Sequence, residues 1–334
     1  MLQPFQRALS PRHTKPLATI LLSVSAGAMA TMAYADTYPT KAIRVIVPYG
    51  PGTAPDTVAR IATDGLQKRL GQALIIENRT GAGGKLGTEA AATANADGYT
   101  LFLGTKDSQA ILTHLYPTWS VKPNQALKPI AGLARIENVL VTGRSFGTQT
   151  FAQVLAVAKT KELTYGTPGV GTNLHLMGES LKAQTHTKLL HIPYSKSAAE
   201  ALPATIRGDL DLLFSGLPPA LPMLKDGRIK ALAVTGTTRS KYLPNIPTFG
   251  ELGVQGFESG GWFGLFAPAA TPEPILKKLE TAMTEVMKEP SYRERLEALS
   301  AEPWSATPVE LTRTIDVESQ RWGSLIREKK IGTD

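Results

Sequence analysis

The sequence predicts a two-domain α/β protein with mainly parallel sheets, and three observations carry that prediction. Short apolar runs alternate with stretches of helical period from residue 42 to about residue 265. The strands cease after "WFGLFAPAA" (Trp262 to Ala270), where three helical stretches follow. A helical tail of that length needs a core already built to pack on, so the chain is expected to return to its first domain and to leave the second as an insertion.

Taken in order, the strands are "AIRVIVPY", "ALIIEN", "YTLFLGT", "NVLVT", "LTYGT", "LLHIPY", "LDLLFSG" and "IKALAVTG". Between the first two, Val58, Ile61, Ala62 and Leu66 recur at helical spacing and Gly71 supplies the stop. Further helices are expected over 86–94, 150–160, 173–184, 197–207 and 217–226. The tail reads as helices near 273–288, 290–299 and 307–329, with Pro272, Pro290 and Pro308 at their starts. The crossings "ENVLVTG" and "GGWFGLF" are expected to form a hinge.

Residues 1–35 read as a targeting segment: Arg7, Arg12 and Lys15 precede an apolar run that ends in "AYA" at Ala33–Ala35, so the mature chain is expected to start near Asp36. No other stretch is long and apolar enough to span a bilayer. The remaining 299 residues (334 less 35) contain no Cys, which excludes disulfides, thiol catalysis and thiolate metal sites. Removing three positive residues from a net charge of +8 leaves +5, dispersed rather than clustered and without interleaved aromatics, so a nucleic-acid partner is not expected.

The stretch "VIVPYGPGTAPDTVAR" (45–60) passes from a strand through two Gly and two Pro into a helix. Such a turn gathers unpaired N–H groups and the positive helix end at one point, which suits an anion. It lacks the Lys-Ser/Thr of a phosphate loop and the spaced glycines of a dinucleotide fingerprint. A second turn of the same kind, "LTYGTPGVGTNLHLMGESL", enters a helix capped by Thr172 or Asn173, whose buried face is Leu174, Met177 and Leu181. With one turn on each domain, a small anion is expected to be gripped from both sides.

Over nearly all of the mature chain the sequence resembles the periplasmic substrate-binding receptors of tripartite tricarboxylate transporters, the Bug receptors. The resemblance lies in "YPTKAIRVIVPYGPGTAPDTVAR", "IIENRTGAGGKLGTEAAATANADGYTLFLGT", "YGTPGVGTNLHLMGE", "HIPYSKSAAEALPATIRGDLDLLF", "LPPALPMLKDGRIKALAVTGTTRS" and "WFGLFAPAATPEPI". It implies a type II periplasmic-binding-protein-like α/β fold of two domains, residues 36–137 with 262–334 and residues 138–261, joined by two crossover strands as a hinge. A carboxylate would be held in the cleft by backbone N–H groups and bridging waters from the two loops. The implied partners are an organic acid and the permease subunits of a tripartite transporter, with the receptor a cofactor-free monomer in the periplasm. A sensor protein as the recipient of the closed form is the alternative.

The candidate ligand-binding residues are Tyr49, Gly50, Gly52, Thr53, Thr105, Ser108, Thr167, Gly169, Gly171, Thr172, Asn173, His175, Tyr194 and Ser215. Relatives commonly carry Gly-Gly-Gly-Thr where this chain has Gly52, Thr53, Ala54 and Pro55, so Thr53 is expected to donate to the ligand. Asp56 is read as a first-turn carboxylate that favours the helix dipole and points away from an anion. Where many relatives have Phe-Asp-Asn, this chain has Phe214, Ser215 and Gly216; loss of an acid facing the cleft favours a dicarboxylate, with terephthalate as an aromatic example. Tyr49 suits a cleft wall and the core equally, Phe214 and Trp262 suit the core, and Lys106 reads as a solvated surface cation.

No metal site is expected from His114, His175, His186 and His191, which lack helical ligand spacing. "GRSFG" around Ser145 fits a nucleophile elbow by letters alone. The helix after it is expected only near Thr150, and the last His in the chain is His191, with no acid-then-His order behind it. The chain is therefore not expected to be an enzyme.

Overall fold

The computed structural model describes residues 38–147, 150–194, 198–258, 260–329 and 331–332. The expected targeting segment and its cleavage site lie outside these residues. Among the described residues, no helix is long and apolar enough to cross a membrane.

The chain runs β1 (Ile43–Val47), α1 (Ala54–Leu70), β2 (Leu74–Asn78), α2 (Lys85–Ala92), β3 (Thr100–Thr105), β4 (Leu127–Ile136), β5 (Asn138–Gly143), α3 (Phe151–Thr160), β6 (Leu163–Thr167), α4 (Asn173–Thr185), β7 (Leu189–Pro193), α5 (Ala198–Arg207), β8 (Leu212–Gly216), α6 (Leu217–Lys225), β9 (Ile229–Val234), β10 (Gly261–Pro268), α7 (Glu273–Lys288), α8 (Pro290–Ala298), β11 (Ala301–Pro303) and α9 (Pro308–Lys329). Short helical turns occupy Ala82–Gly84, Asp107–Ile111, Leu112–Leu115 and Pro123–Ala126.

Local chemistry fixes most of these limits. α1 starts with Pro55 and Asp56 in its first turn and ends at Gly71, whose φ of 68° few other residues adopt. Its apolar face, with Val58, Ile61, Ala62 and Leu66, is buried. α3 is closed by a reciprocal capping box between Thr150 and Gln153, and at α4 the Thr172 hydroxyl accepts the His175 N–H.

Two sheets result, in the orders β11-β4-β10-β3-β1-β2 and β7-β6-β8-β5-β9. The expectation of mainly parallel sheets needs correcting. β1 runs parallel to β2 and β3, and β6 parallel to β7 and β8. β10 is antiparallel to β3 and β4, β11 to β4, and β5 to β8 and β9. Strand–helix–strand alternation predicts only the parallel pairs, whereas β5 and β10 enter each sheet from the other without a helical crossover. β4 and β11 escape sequence reading because β4 carries Pro129 and Gly132. Pro129 sits where the β4–β10 register shifts, and a Cβ at Gly132 would lie 2.7 Å from the Ala306 methyl.

The tail does more than cover the first sheet. On α9, Leu311 and Ile315 join Ile46, Phe102, Trp262 and Phe266 in one core. One half of the helix further along, Trp322 and Ile326 join Phe151, Leu174, Met177 and Phe214 in the core of the second sheet.

Candidate functional site

A cleft of about 880 Å³, measured out to its open mouth, falls in the size range of small-molecule sites. Its walls come from elements of both sheets: the β1–α1 loop, the 80–84 turn, the end of β3, the crossings at Ile136, Asn138 and Gly261–Phe263, and the start of α4. Of the sequence-predicted site residues, Tyr49, Gly50, Gly52, Thr53, Thr105 and Asn173 line it. Ser108, Thr167, Gly169, Gly171, Thr172, His175, Tyr194 and Ser215 are not among its lining residues.

The β1–α1 loop is braced from behind by Asp56, buried beneath it. One carboxylate oxygen accepts the Gly52 N–H at 2.9 Å and Arg60 Nε at 2.9 Å; the other accepts the Asn78 amide at 2.9 Å and the Arg60 guanidinium at 3.0 Å. Burial opposes its charge, but these hydrogen bonds outweigh burial and hold the carboxyl below its ordinary range. Asp56 therefore organises the loop rather than lining the cleft. Gly52 adopts φ 77°. The Thr53 hydroxyl, expected to donate to a ligand, donates here to Gly50 O at 2.7 Å. By position, Ala54 and Asp56 carry the N–H groups that an α-helix leaves without an intrahelical partner, and Pro55 has none.

In the second loop several of the donors are already taken by protein groups. The Gly169 N–H meets Thr167 Oγ1 at 3.2 Å, the Gly171 N–H meets His175 Nδ1 at 3.3 Å, and the His175 N–H meets Thr172 Oγ1 at 3.2 Å. Thr172 in turn donates its hydroxyl to Gly169 O at 2.8 Å. The Asn173 N–H, the donor expected for an anion, is taken by the carboxylate of Asp107 at 2.8 Å.

Asp107 is the residue that sequence reasoning misses. It follows β3, lines the cleft and is 8 % exposed. Its second oxygen accepts the Tyr49 hydroxyl at 2.6 Å, and that hydroxyl also lies 3.1 Å from Gly83 O. Burial pushes Asp107 up to about 6, against the opposing effects of the Tyr49 and Asn173 hydrogen bonds and of Lys106. Burial, reinforced by the neighbouring carboxylate, raises Tyr49 well above its ordinary value. Chain position alone gives no sign that this acid faces a helix start 66 residues away; the signal available is an ionisable residue directly at a strand end next to a predicted cleft.

Lys106 is not a solvated surface cation. It is 1 % exposed, pairs with Glu318 at 3.1 Å and lies over the Trp322 ring at 5.8 Å. Burial pulls its pKa down while Glu318 opposes the fall. The interaction is possible because α9 packs on the turn after β3, a long-range contact that no local pattern encodes.

The other predicted residues have the following partners within the protein. Ser108 is buried and exchanges hydrogen bonds with Thr105, accepting its N–H at 2.9 Å and donating to its carbonyl at 3.1 Å. Ser215 is fully buried in β8 and donates to Gly216 O at 3.0 Å, so it does not carry the dicarboxylate argument. Thr167 bonds His191 Nε2 at 2.6 Å, and the His175 and His191 rings lie 4.2 Å apart. Burial lowers His175 and takes His191 down to about 3, so both rings are neutral near pH 7. The Tyr194 N–H bonds Thr167 O at 2.8 Å, and its ring packs in the second-sheet core. Trp262 and Phe214 are buried in the core, with the Trp262 residue also bordering the cleft.

No group of three or more metal-ligating side chains occurs among the described residues. Ser145 sits exposed in the turn after β5, and α3 begins only at Phe151, so the strand–helix junction of a nucleophile elbow is not at Ser145.

The family model described as the tripartite tricarboxylate transporter family receptor matches residues 58–331. Protein BugT of Bordetella pertussis is 32 % identical over 318 residues, spanning 94 % of this chain and 97 % of BugT. A solved Rhodopseudomonas palustris protein with adipate superposes at a TM-score of 0.83 with 31 % identity, covering 88 % of this chain and 99 % of the other. A second from that organism, MatC with bound malate, gives 0.81 and 30 %, covering 86 % and 100 %.

Proposed function

This chain belongs to the tripartite tricarboxylate transporter receptor family, a family of solute-binding receptors, and we propose that it captures a dicarboxylate in the periplasm and hands it to the permease subunits of such a transporter. The observation that carries the ligand class is the cleft itself, where the first turn of α1, with its free N–H groups, meets an apolar wall. One ligand carboxylate sits at that helix start. Ile136, Leu174, Trp262 and Phe263 give the remainder of the ligand a largely apolar, partly flat surface. Adipate and malate in the two solved relatives support two acidic ends, and the flat wall supports an aromatic diacid such as terephthalate.

Residues 36–137 with 262–334 act as one domain and residues 138–261 as the other. In support, the first sheet draws its strands from 43–136 and 261–303, and the second from 138–234. The chain crosses between them at Glu137 and between β9 and β10, and these crossings form the hinge. Export with cleavage near Ala35 supplies the location. The ionisable side chains among the described residues lining the cleft are Tyr49, Lys106 and Asp107, and capture requires no covalent chemistry.

A thermal-shift panel of organic acids tests the reading. A dicarboxylate at about 100 times its dissociation constant adds about 2.7 kcal/mol of stability and raises the melting temperature by several degrees. Stabilisation by neutral sugars or cationic amines, with none from any carboxylate, contradicts it.

A further inference from the structure

Resting on the dicarboxylate reading above, we propose that Asp107 receives the ligand's second carboxylate as a neutral acid, so that capture of a dicarboxylate draws one proton from solvent onto Asp107. The positions of the groups lead to this. Asp107 lines the same cleft as the α1 start, and its carboxylate already occupies the N–H of Asn173, the place where a second ligand carboxylate would otherwise dock. Among the described residues lining the cleft, Lys106 and Asp107 are the ones that carry formal charge, and the Lys106 ammonium is committed to Glu318. A dianion thus meets an acid whose neighbouring cation, Lys106, is shared with Glu318. Two carboxylates at contact distance repel, whereas a carboxyl and a carboxylate share a short, charge-assisted hydrogen bond.

The proton has a defined seat. The Tyr49 hydroxyl has two acceptors in reach, the Asp107 oxygen at 2.6 Å and Gly83 O at 3.1 Å. When the proton arrives on that Asp107 oxygen, the Tyr49 hydroxyl turns to Gly83 O and the new O–H points to the ligand, while the other oxygen keeps the Asn173 N–H. Tyr49 retains its own proton. The complex gains one dianion and one proton, and solvent buffer supplies the proton.

The surroundings leave Asp107 as the group that titrates near neutrality. The elements packed on the 107–111 turn are α9, β3 and the turns at 82–84, 112–115 and 123–126. β3, 82–84 and 123–126 hold no titratable side chain. His114 in the 112–115 turn and His175 on α4 are both held neutral by burial. On α9, Glu318 pairs with Lys106 and Arg321 with Glu258. Tyr49 stays protonated, and burial holds Asp107 at about 6, within reach of a proton at pH 7.

Calorimetric titration of the wild-type protein with adipate and with hexanoate, at about pH 7 in phosphate and in Tris buffer, tests the assignment. The apparent enthalpy of adipate binding should differ between the buffers by close to one proton's ionisation heat, and that of hexanoate should not. Adipate affinity should fall about tenfold per pH unit above neutrality. Asp107→Asn, which keeps an acceptor for the Asn173 N–H, should bind adipate with no proton uptake and a flat pH profile. If that variant fails to bind, Tyr49→Phe decides: loss of the hydroxyl should move the pH dependence upward, and an unmoved profile overturns the proposal. Adipate binding without proton uptake by the wild type, or uptake that persists in Asp107→Asn, overturns it too and leaves the receptor reading standing. Binding of hexanoate with none of adipate overturns the dicarboxylate reading and this inference with it.

Discussion

Two buried carboxylates, each at the start of a helix, behave in opposite ways because of what surrounds them. Asp56 is held ionised by the Gly52 N–H, Asn78 and Arg60, so its contribution to stability is present above its unfolded pKa of about 4 and is lost as pH falls through its lower folded value. Asp107 is raised to about 6, so its contribution is present below about pH 4 and is lost as pH rises through about 6. A shift of about two units corresponds to about 3 kcal/mol. Urea unfolding followed from about pH 3 to pH 8 should show both trends, and Asp107→Asn should remove the decline between about pH 4 and pH 6 while leaving the acid limb. Asp56→Ala should cost about 2–4 kcal/mol near neutrality, because it strands the Gly52 N–H and one of the two Asn78 amide hydrogens, the other keeping Tyr49 O, with the exposed Arg60 end contributing least. A loss below 0.5 kcal/mol would show that the loop holds its shape without it. The first-turn position of Asp56 is legible in the sequence because it is local, proline then acid then helix, whereas its bond to Asn78, 22 residues away, is not. The role of Asp107 is not legible either, since its partners are 58 and 66 residues away.

Helix ends are the best-read elements, because caps and stops are written in adjacent residues: Gly71 after α1, Thr150 before α3 and Thr172 before α4. The two Gly-rich loops look alike in sequence, yet in the second the N–H groups of Gly169, Gly171 and Asn173 go to Thr167, His175 and Asp107. Loop letters encode the turn but not the competition for its N–H groups. α9 makes the same point at larger size. Its period and length are plain in the sequence, whereas the change of partner along it, from Leu311 in the first core to Trp322 in the second, depends on both sheets being in place. Trp322 is 4 % exposed, donates its indole N–H to Glu318 at 2.7 Å and lies beside Lys106. Trp322→Ala should therefore cost about 3–5 kcal/mol in chemical denaturation and should disturb the Lys106–Glu318 pair as well. A cost under about 1 kcal/mol would mean that the C-terminal half of α9 rests on the second core without supporting it.

On the scale of the whole molecule, the alternation of strands and helices reveals two layered sheets and the places where the chain passes between them. It does not reveal that the passing strands β5 and β10 run antiparallel to their neighbours, because the hydrophobic pattern of a fully buried strand is the same in either direction. That arrangement brings Asn138 and Gly261–Phe263 into the lining of the cleft together with the starts of α1 and α4. The proposed seat of a ligand carboxylate is the first turn of α1 within this cleft. Hydrogen–deuterium exchange with and without saturating adipate addresses it directly, since the Ala54 and Asp56 N–H groups have no intrahelical partner and should exchange fast until a carboxylate accepts them. Strong protection on binding is expected in peptides covering 49–57, with lesser protection at 261–263. Adipate binding that leaves 49–57 unprotected while protecting another face of the molecule would contradict it.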